Sequence, residues 1–567
     1  MTYTPPVEEQ KFLLRHIVGI EELAGHDRFA EATPDLVDAI VEGAGAFAAG
    51  EFAPLNRAGD EIGAKWSPDG VTLPPGFKEA YRGYVEGGWG TLAGPLEHGG
   101  QGLPLTLAVV VMEDLGSANM GFSLVMMLTP GSVEALKHHG SPELQAQWLP
   151  KLVTGEWTGT MNLTEPQAGS DVGALKTRAE PVGDGSYRIR GTKIFITFGD
   201  HDLADNIVHL VLARLPGAPA GTRGISLFLV SKVMPDGTRN DVHCVSIEHK
   251  LGIHASPTCV MSYGDNGGAI GWLIGEENKG MAAMFTMMNN ARLNVGLQGV
   301  SIAERATQQA VAYARERVQG SREGRLARII EFPDVRRMLL RMKALTQAAR
   351  AIAYYCAGQT DRAGLGDEAA GKRADLLTPL VKAYGTDIGC EVTSLGVQIH
   401  GGMGYVEETG AAQHFRDARI SPIYEGTNGI QAADLVGRKL SADGGEVLDA
   451  LIAEMQSDVD QEDLELAHLI DLCGAAAAGL RTMQADDRLA GSYPFLTMLA
   501  VAVSGWLLGK ELKALESYDG DPAFAKMKRA AAEFYVRHIA AEAKAQFGAA
   551  MASAELLYSI EEETFAA

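Results

Sequence analysis

The run Met161-Asn162-Leu163-Thr164-Glu165-Pro166-Gln167-Ala168-Gly169-Ser170-Asp171 carries hydroxyls at Thr164 and Ser170 beside backbone N–H groups around Gly169. Such a set can hold the edge of a flat heterocycle or a pyrophosphate, and a plain capped turn would use the same residues. A second run, Gln398-Ile399-His400-Gly401-Gly402-Met403-Gly404-Tyr405, lets backbone N–H groups approach phosphate closely. It also suits a helix-to-helix turn in which His400 is merely packed. Between Pro422 and Asn428 one acid, Glu425, stands before Gly426. A Glu in such a loop is more often solvated than catalytic, and desolvation is what would make it a base.

Composition narrows what these residues can serve. Of 567 residues, 46% are apolar and 21% charged, as in a soluble globular protein, and the length implies about three or four domains. The net charge of -23 offers nucleic acid no counterion-release term and predicts no such partner. It fits a cytoplasmic protein. Five cysteines (Cys244, Cys259, Cys356, Cys390, Cys473) make no Cys-x-x-Cys pair and read as reduced thiols in or near cores, not as a metal site. The first residues lack the basic-then-apolar order of a signal peptide. The most apolar stretch, 495–509, falls short of the ~18–20 residues of a membrane span. With Pro494 at its start it predicts a buried helix and no integral membrane segment.

The elements that must position the runs follow from periodicity. Residues 1–159 read as a helical domain: Leu36, Ile40 and Val41 recur at helical spacing, as do Val109, Met112 and Leu115. The stretch 66–75 reads as loop. A short helix is predicted from Glu143 to Leu149, stopped by Pro150. Residues 160–280 alternate like strands, with a hairpin signal at Asp184-Gly185, and predict a β-barrel or sheet domain. Residues 281–440 predict four long helices in a bundle, the last beginning near Gly429. After the polar linker Ser441-Ala442-Asp443-Gly444-Gly445, residues 441–567 read as an additional helical domain. The fold class is α+β and multidomain.

Taken together, the runs resemble the acyl-CoA dehydrogenase family. Thr164-Glu165-Pro166 followed by Ala168-Gly169-Ser170-Asp171 is similar to the family's flavin signature. Gly191-Thr192-Lys193-Ile194-Phe195-Ile196-Thr197 is similar to the strand behind the isoalloxazine ring, with Phe195 where most members carry Trp. The resemblance spans about residues 30–440 and implies FAD, contacted by Met161, Leu163, Thr164, Gly169, Ser170, Phe195, Ile196 and Thr197. Arg317-Val318-Gln319-Gly320 resembles Arg-x-Gln-Phe-Gly without its Phe. Through Arg317, Gln319, Gln398, Gly401 and Gly402 the resemblance implies contacts to a neighbouring subunit's FAD, and hence at least a dimer. Thr427 is expected to contact FAD as well. Gly429 stands where the family usually has Gln.

Pro422-Ile423-Tyr424-Glu425-Gly426-Thr427-Asn428 resembles the family's catalytic segment. The resemblance implies that Glu425 takes the α-proton of an acyl-CoA thioester while the β-hydrogen leaves as hydride. Some relatives place the base on an earlier helix, at the position of Ala291 here, which cannot serve. Arg292, Tyr424, Gly426 and Ser170 are expected on the substrate side, and Asn289 replaces a common Asp. The layout is similar to longer bacterial members, among them 3-methylmercaptopropionyl-CoA and broad-range fatty acyl-CoA dehydrogenases, and the extra domain favours a homodimer. The expected acceptor is an electron-transferring flavoprotein. An acyl-CoA oxidase and a non-catalytic flavin or acyl-CoA binding subunit are the competing readings.

Overall fold

The computed structural model describes residues 3–459 and 463–567. One compact unit holds residues 34–294 and the short stretch ending at Pro5; the other holds residues 6–33 and 295–567. Residues 6–33 therefore pack with the later helices, whereas the sequence grouped them within 1–159.

In the unit of 34–294 the helices Pro34–Phe47 and Leu105–Ala118 bury the apolar positions that predicted them, including Ile40, Val41, Val109 and Leu115. Two local expectations change. The stretch read as loop contains a hairpin, β1 (Lys65–Ser67) and β2 (Gly70–Thr72), turned by Pro68-Asp69. Pro presets the first turn dihedral, and the N–H of Val71 donates to Asp200 Oδ2 at 3.2 Å. The helix expected to stop at Pro150 runs from Pro142 to Thr154 and ends at Gly155, φ 81. Burial of Trp148, Leu149, Leu152 and Val153 on both sides of the proline outweighs its one missing N–H bond.

The β-domain comprises β3 (Trp157–Asn162), β4 (Arg178–Pro181), β5 (Ser186–Thr197), β6 (Asn206–Arg214), β7 (Ile225–Ser231), β8 (Val242–Ile247), β9 (Thr258–Tyr263) and β10 (Ala269–Ile274). Strands β10, β7, β6, β4 and β5 follow one another, and β5 pairs back with β10, so the sheet closes like a barrel. The twelve-residue β5 makes this possible. Its first half pairs with β4 and β10, and its second half with β9. Inside, Tyr263 Oη donates to Asn162 Oδ1 at 2.8 Å, Asn162 Nδ2 donates to Thr160 Oγ1 at 2.7 Å, and Thr160 Oγ1 bonds with His209 Nδ1 at 2.8 Å. Burial pushes His209 down to about 3, so this chain is neutral. It fixes the end of β3 immediately before Leu163.

The other unit is helical. Its long elements are α1 (Gly280–Glu316, in this unit from Val295), α2 (Pro333–Gly364) and α3 (Glu368–His400). Helices α1 and α3 cross almost backbone to backbone: a Cβ added at Gly299 would stand 1.9 Å from the carbonyl oxygen of Gly385. The fourth bundle helix, expected to be long, is α4 (Asn428–Gly437) with 10 residues. Its length is made up by α5 (Ser492–Ala514), which packs on α2, α3 and α4. At 23 residues α5 is longer than the stretch 495–509 suggested and is long and apolar enough to cross a membrane, yet 78% of its most apolar window is buried in the protein. Its neighbours here take the place of lipid.

Two buried ion clusters tie this unit together. Lys528, fully buried, lies 2.7 Å from both Glu9 and Glu511 and so joins the first helix to the last ones. Glu304 accepts from Arg350 Nη2 at 2.8 Å and Gln308 Nε2 at 3.0 Å. Burial alone would raise the Glu304 carboxyl, but Lys343 and Arg350 hold it at about 2, below its ordinary 4.5. Being depressed in the folded state, it stabilises the fold fully above pH 4.5 and loses that contribution as pH falls toward 2. The loss is on the order of 3 kcal/mol. Urea midpoints measured across that window should fall, and should fall less in Glu304→Gln. Equal slopes would remove Glu304 as a source of the acid sensitivity.

Candidate active site

The run 161–171 folds around its acid. Glu165 is buried, and its Oε1 accepts from Lys193 Nζ at 2.9 Å, Thr177 Oγ1 at 2.6 Å and Thr177 N at 3.0 Å. Its Oε2 accepts from Lys176 N and from Gln167 Nε2, each at 2.6 Å. Desolvation opposes the charge, but Lys193 and these donors hold the carboxyl at about 2. Burial draws Lys193 down to about 8 against the pull of Glu165. Lys193 Nζ also donates to the carbonyl of Leu163 at 2.9 Å, so one fully buried ammonium ties the loop to β5. Around it, Thr164 and Leu163 are half-buried, Gly169 and Ser170 are exposed, and Met161 is buried. A Cβ at Gly169 would meet nothing within 4 Å.

Strand β5 carries one extra residue against β9 between Lys193 and Ile196. This bulge releases the N–H of Ile194 from the ladder to donate to the carbonyl of Thr164 at 2.9 Å. It also puts Phe195 at φ 59 with 58% of its surface exposed. A non-glycine residue in that region costs ~1–3 kcal/mol, and strain of this kind gathers at working sites. Ile196 turns the other way. Its side chain is buried in the wall, because the bulge sends Phe195 outward and Ile196 inward, leaving only its backbone for a ligand. Thr197 is half-buried. Arg292 and Ala291 are buried on the first part of α1.

In the unit of 295–567, Tyr424, Glu425, Gly426 and Thr427 form one tight loop. Ile423 N and Tyr424 N both donate to the Ile420 carbonyl, and Asn428 N donates to the Pro422 carbonyl at 3.0 Å. Half-buried Glu425 has φ 57 and Gly426 φ 80. Gln431 Nε2 donates to the carbonyls of both at 3.3 Å. Tyr424 Oη donates to Gln298 Oε1, and burial, with the charge of Glu425 beside it, pushes the phenol up. Thr427 Oγ1 accepts from Ile430 N at 3.2 Å and thereby caps α4.

Asn428 is the anchor that the motif alone did not reveal. It is buried against α3, where its Oδ1 accepts from Lys382 Nζ at 2.8 Å and its Nδ2 donates to Asp387 Oδ1 at 2.8 Å. A cation at one end of the amide and an anion at the other leave one orientation. In the sequence Lys193 likewise marks only the start of a strand. Its signal is a lysine at an inward-facing strand position, which demands a buried partner.

The remaining candidates are surface groups. Arg317 follows the last residue of α1, and its carbonyl accepts from Ile329 N at 2.8 Å. Gln319 lies on the exposed strand β11 (Val318–Arg322), paired with β12 (Arg325–Arg328). Gln398 is exposed, its carbonyl accepting from Gly401 N, and a Cβ at Gly401 or Gly402 would meet nothing within 4 Å. His400 is packed, with Nδ1 2.7 Å from the Gly396 carbonyl and its ring stacked on Tyr313 at 4.4 Å.

Four family descriptions match successive parts of the chain: acyl-CoA dehydrogenase N-terminal domain over 36–156, middle domain over 160–265 and C-terminal domain over 278–440, then acetyl-CoA dehydrogenase C-terminal like over 446–561. A 3-methylmercaptopropionyl-CoA dehydrogenase of Ruegeria pomeroyi is 46% identical, covering 96% of this chain and 97% of its own. A broad-specificity linear acyl-CoA dehydrogenase of Mycobacterium tuberculosis is 34% identical over 90% of each. The structure of Caenorhabditis elegans ACDH-11 in complex with C11-CoA shares the fold with a TM-score of 0.79 at 20% identity, covering 100% of this chain and 95% of that one.

Proposed function

Because the chain belongs to the acyl-CoA dehydrogenase family, we propose that it converts an acyl-CoA to the trans-2-enoyl-CoA, with FAD as cofactor and Glu425 as the base. The observation that carries the assignment of the base is a glutamate held at positive φ in a loop anchored at both ends. The residues suit FAD. Phe195 presents an aromatic face, and Gly169, Gly401 and Gly402 leave open space where a side chain would stand. Thr164, Ser170, Thr197 and Thr427, with the backbone of Leu163 and Ile196, are the groups to hold it. Arg317, Gln319 and Gln398 with Gly401 and Gly402 serve the FAD of the second subunit in a homodimer. When bound, FAD supplies the acceptor for the hydride leaving Cβ.

The protein's own work is on the α-carbon. Its proton is far too weakly acidic for a solvated carboxylate, so the thioester oxygen must be held as charge develops. The backbone N–H of Glu425 is one donor for that oxygen, and the Glu425 carboxylate receives the proton. Tyr424 and Gly426 shape the loop on the substrate side, and Arg292 lends a buried positive charge.

A panel of acyl-CoAs scored by flavin bleaching tests the reading, with 3-methylmercaptopropionyl-CoA first because of the 46% identical relative. Bleaching by at least one thioester is expected; none across the panel, with FAD bound, would leave a binding subunit. The acceptor we assign is an electron-transferring flavoprotein. Reduced enzyme should reoxidise slowly in air and turn over rapidly with that protein, whereas stoichiometric peroxide in air would make it an oxidase.

A further inference from the structure

A hydrogen-bonded path runs from the added helices to the loop of Glu425. Tyr493, in the first turn of α5, donates from Oη to Asp387 Oδ2 at 2.6 Å. The other oxygen of Asp387 accepts from Asn428 Nδ2 at 2.8 Å. Asn428 is 3% exposed, and its N–H closes the loop of Glu425 onto Pro422. Its amide also receives Lys382, which has no exposure at all, and Thr386. Helix α3 thus supplies a cation and an anion for the two ends of one amide, and α5 supplies the donor that holds the anion.

Asp387 is half-buried on α3. Desolvation pushes its carboxyl up, while Tyr493, Asn428, Lys382 and Arg419 favour its charge. Without the phenol, a partly desolvated carboxylate would lose a short, charge-assisted bond and turn toward Lys382 or Arg419. The Asn428 amide would then lose its charged acceptor and rest on neutral ones, the Ala383 carbonyl at 3.1 Å and Thr386 Oγ1 at 3.0 Å. The slack falls three residues from Glu425, where a displacement of about 1 Å can cost ~100-fold in rate.

We propose that Tyr493 is a positioning residue for the catalytic loop, acting through Asp387 and Asn428, so that the added helical segment takes part in the dehydrogenation it does not touch. This rests on Glu425 being the base. The test uses full-length holoenzyme and reads flavin bleaching at saturating acyl-CoA and at half-saturation. Tyr493→Phe should keep FAD and half-saturation within about twofold while the saturating rate falls roughly tenfold. Asp387→Asn should do the same, and the double variant should lose no more than the worse single one, since the two residues are successive links of one chain. A wild-type rate in Tyr493→Phe would overturn the proposal, as would effects of the two variants that multiply. If Tyr493→Phe fails to retain FAD, Asp387→Asn alone decides by the same split. Glu425→Gln run in parallel keeps the two ideas apart: full bleaching in that variant removes the base, whereas its loss beside an unaffected Tyr493→Phe removes only the positioning role.

Discussion

Glu425→Gln is expected to give a folded, flavin-loaded protein that binds acyl-CoA and does not bleach. Glutamine keeps the size of the side chain, and it meets the same backbone cost at φ 57 as glutamate does. The backbone bonds of 420–428, the bonds of Gln431 and Asn428 and that of Tyr424 to Gln298 all hold the loop without the Glu425 carboxylate. What is lost is the proton acceptor. A positioned general base contributes ~10²–10⁴-fold, and with no other carboxylate at the position of Ala291 the upper part of that range is expected. Stopped-flow bleaching at saturating thioester measures it directly. A rate within tenfold of wild type would assign the proton to another group.

Lys193→Met should be the most damaging single change in the β-domain. Methionine fills the volume, but Glu165 then stays 4% exposed with the Lys193 ammonium gone. Removing one partner of a buried pair costs about 3–5 kcal/mol. The Leu163 carbonyl loses its donor in the same stroke, so the loop should release FAD as well as lower the urea midpoint. Flavin retained through gel filtration and the unfolding midpoint are the two readings. The double variant Lys193→Met, Glu165→Leu should recover much of the stability, because an apolar pair carries no uncompensated charge. Recovery of stability without flavin would separate the pair's structural role from its part in shaping the loop. An unchanged midpoint in Lys193→Met would show that Glu165 protonates without cost.

The order of the runs along the chain makes the family legible without the fold, and it is from that order that Glu425 is proposed as the base. The physics holding them was less so. Phe195 and Glu425 are ordinary residues in a left-handed conformation, and nothing in their types announces it; a glycine would have. Lys193 and Glu165 stand 28 residues apart inside two recognisable runs, and only the closed sheet makes them neighbours. Pro150 was read by its local preference, which the burial of Trp148 and Leu152 overrides. The burial of Ile196 turned on a single extra residue in β5, and periodicity misses such a shift because it inverts the faces beyond it. The apolar run 495–509 predicts the buried helix, and its full length comes from residues on either side whose partners lie far off in sequence.

Helix α5 has a consequence for how this chain can be divided. Domain descriptions end one part at residue 440 and begin another at 446, as though the second could be removed. Yet α5 is buried along much of its length, Leu499, Val503 and Leu507 included, and it packs on α2, α3 and α4 as well as on the added helix Leu464–Thr482. Cutting after Leu440 would strip those three helices of an apolar wall and leave α5 itself, if made alone, as a sticky rod of membrane-like hydropathy. The added segment is thus no module: sequence inheritance treats it as a separate piece, while cohesion makes it one with the bundle.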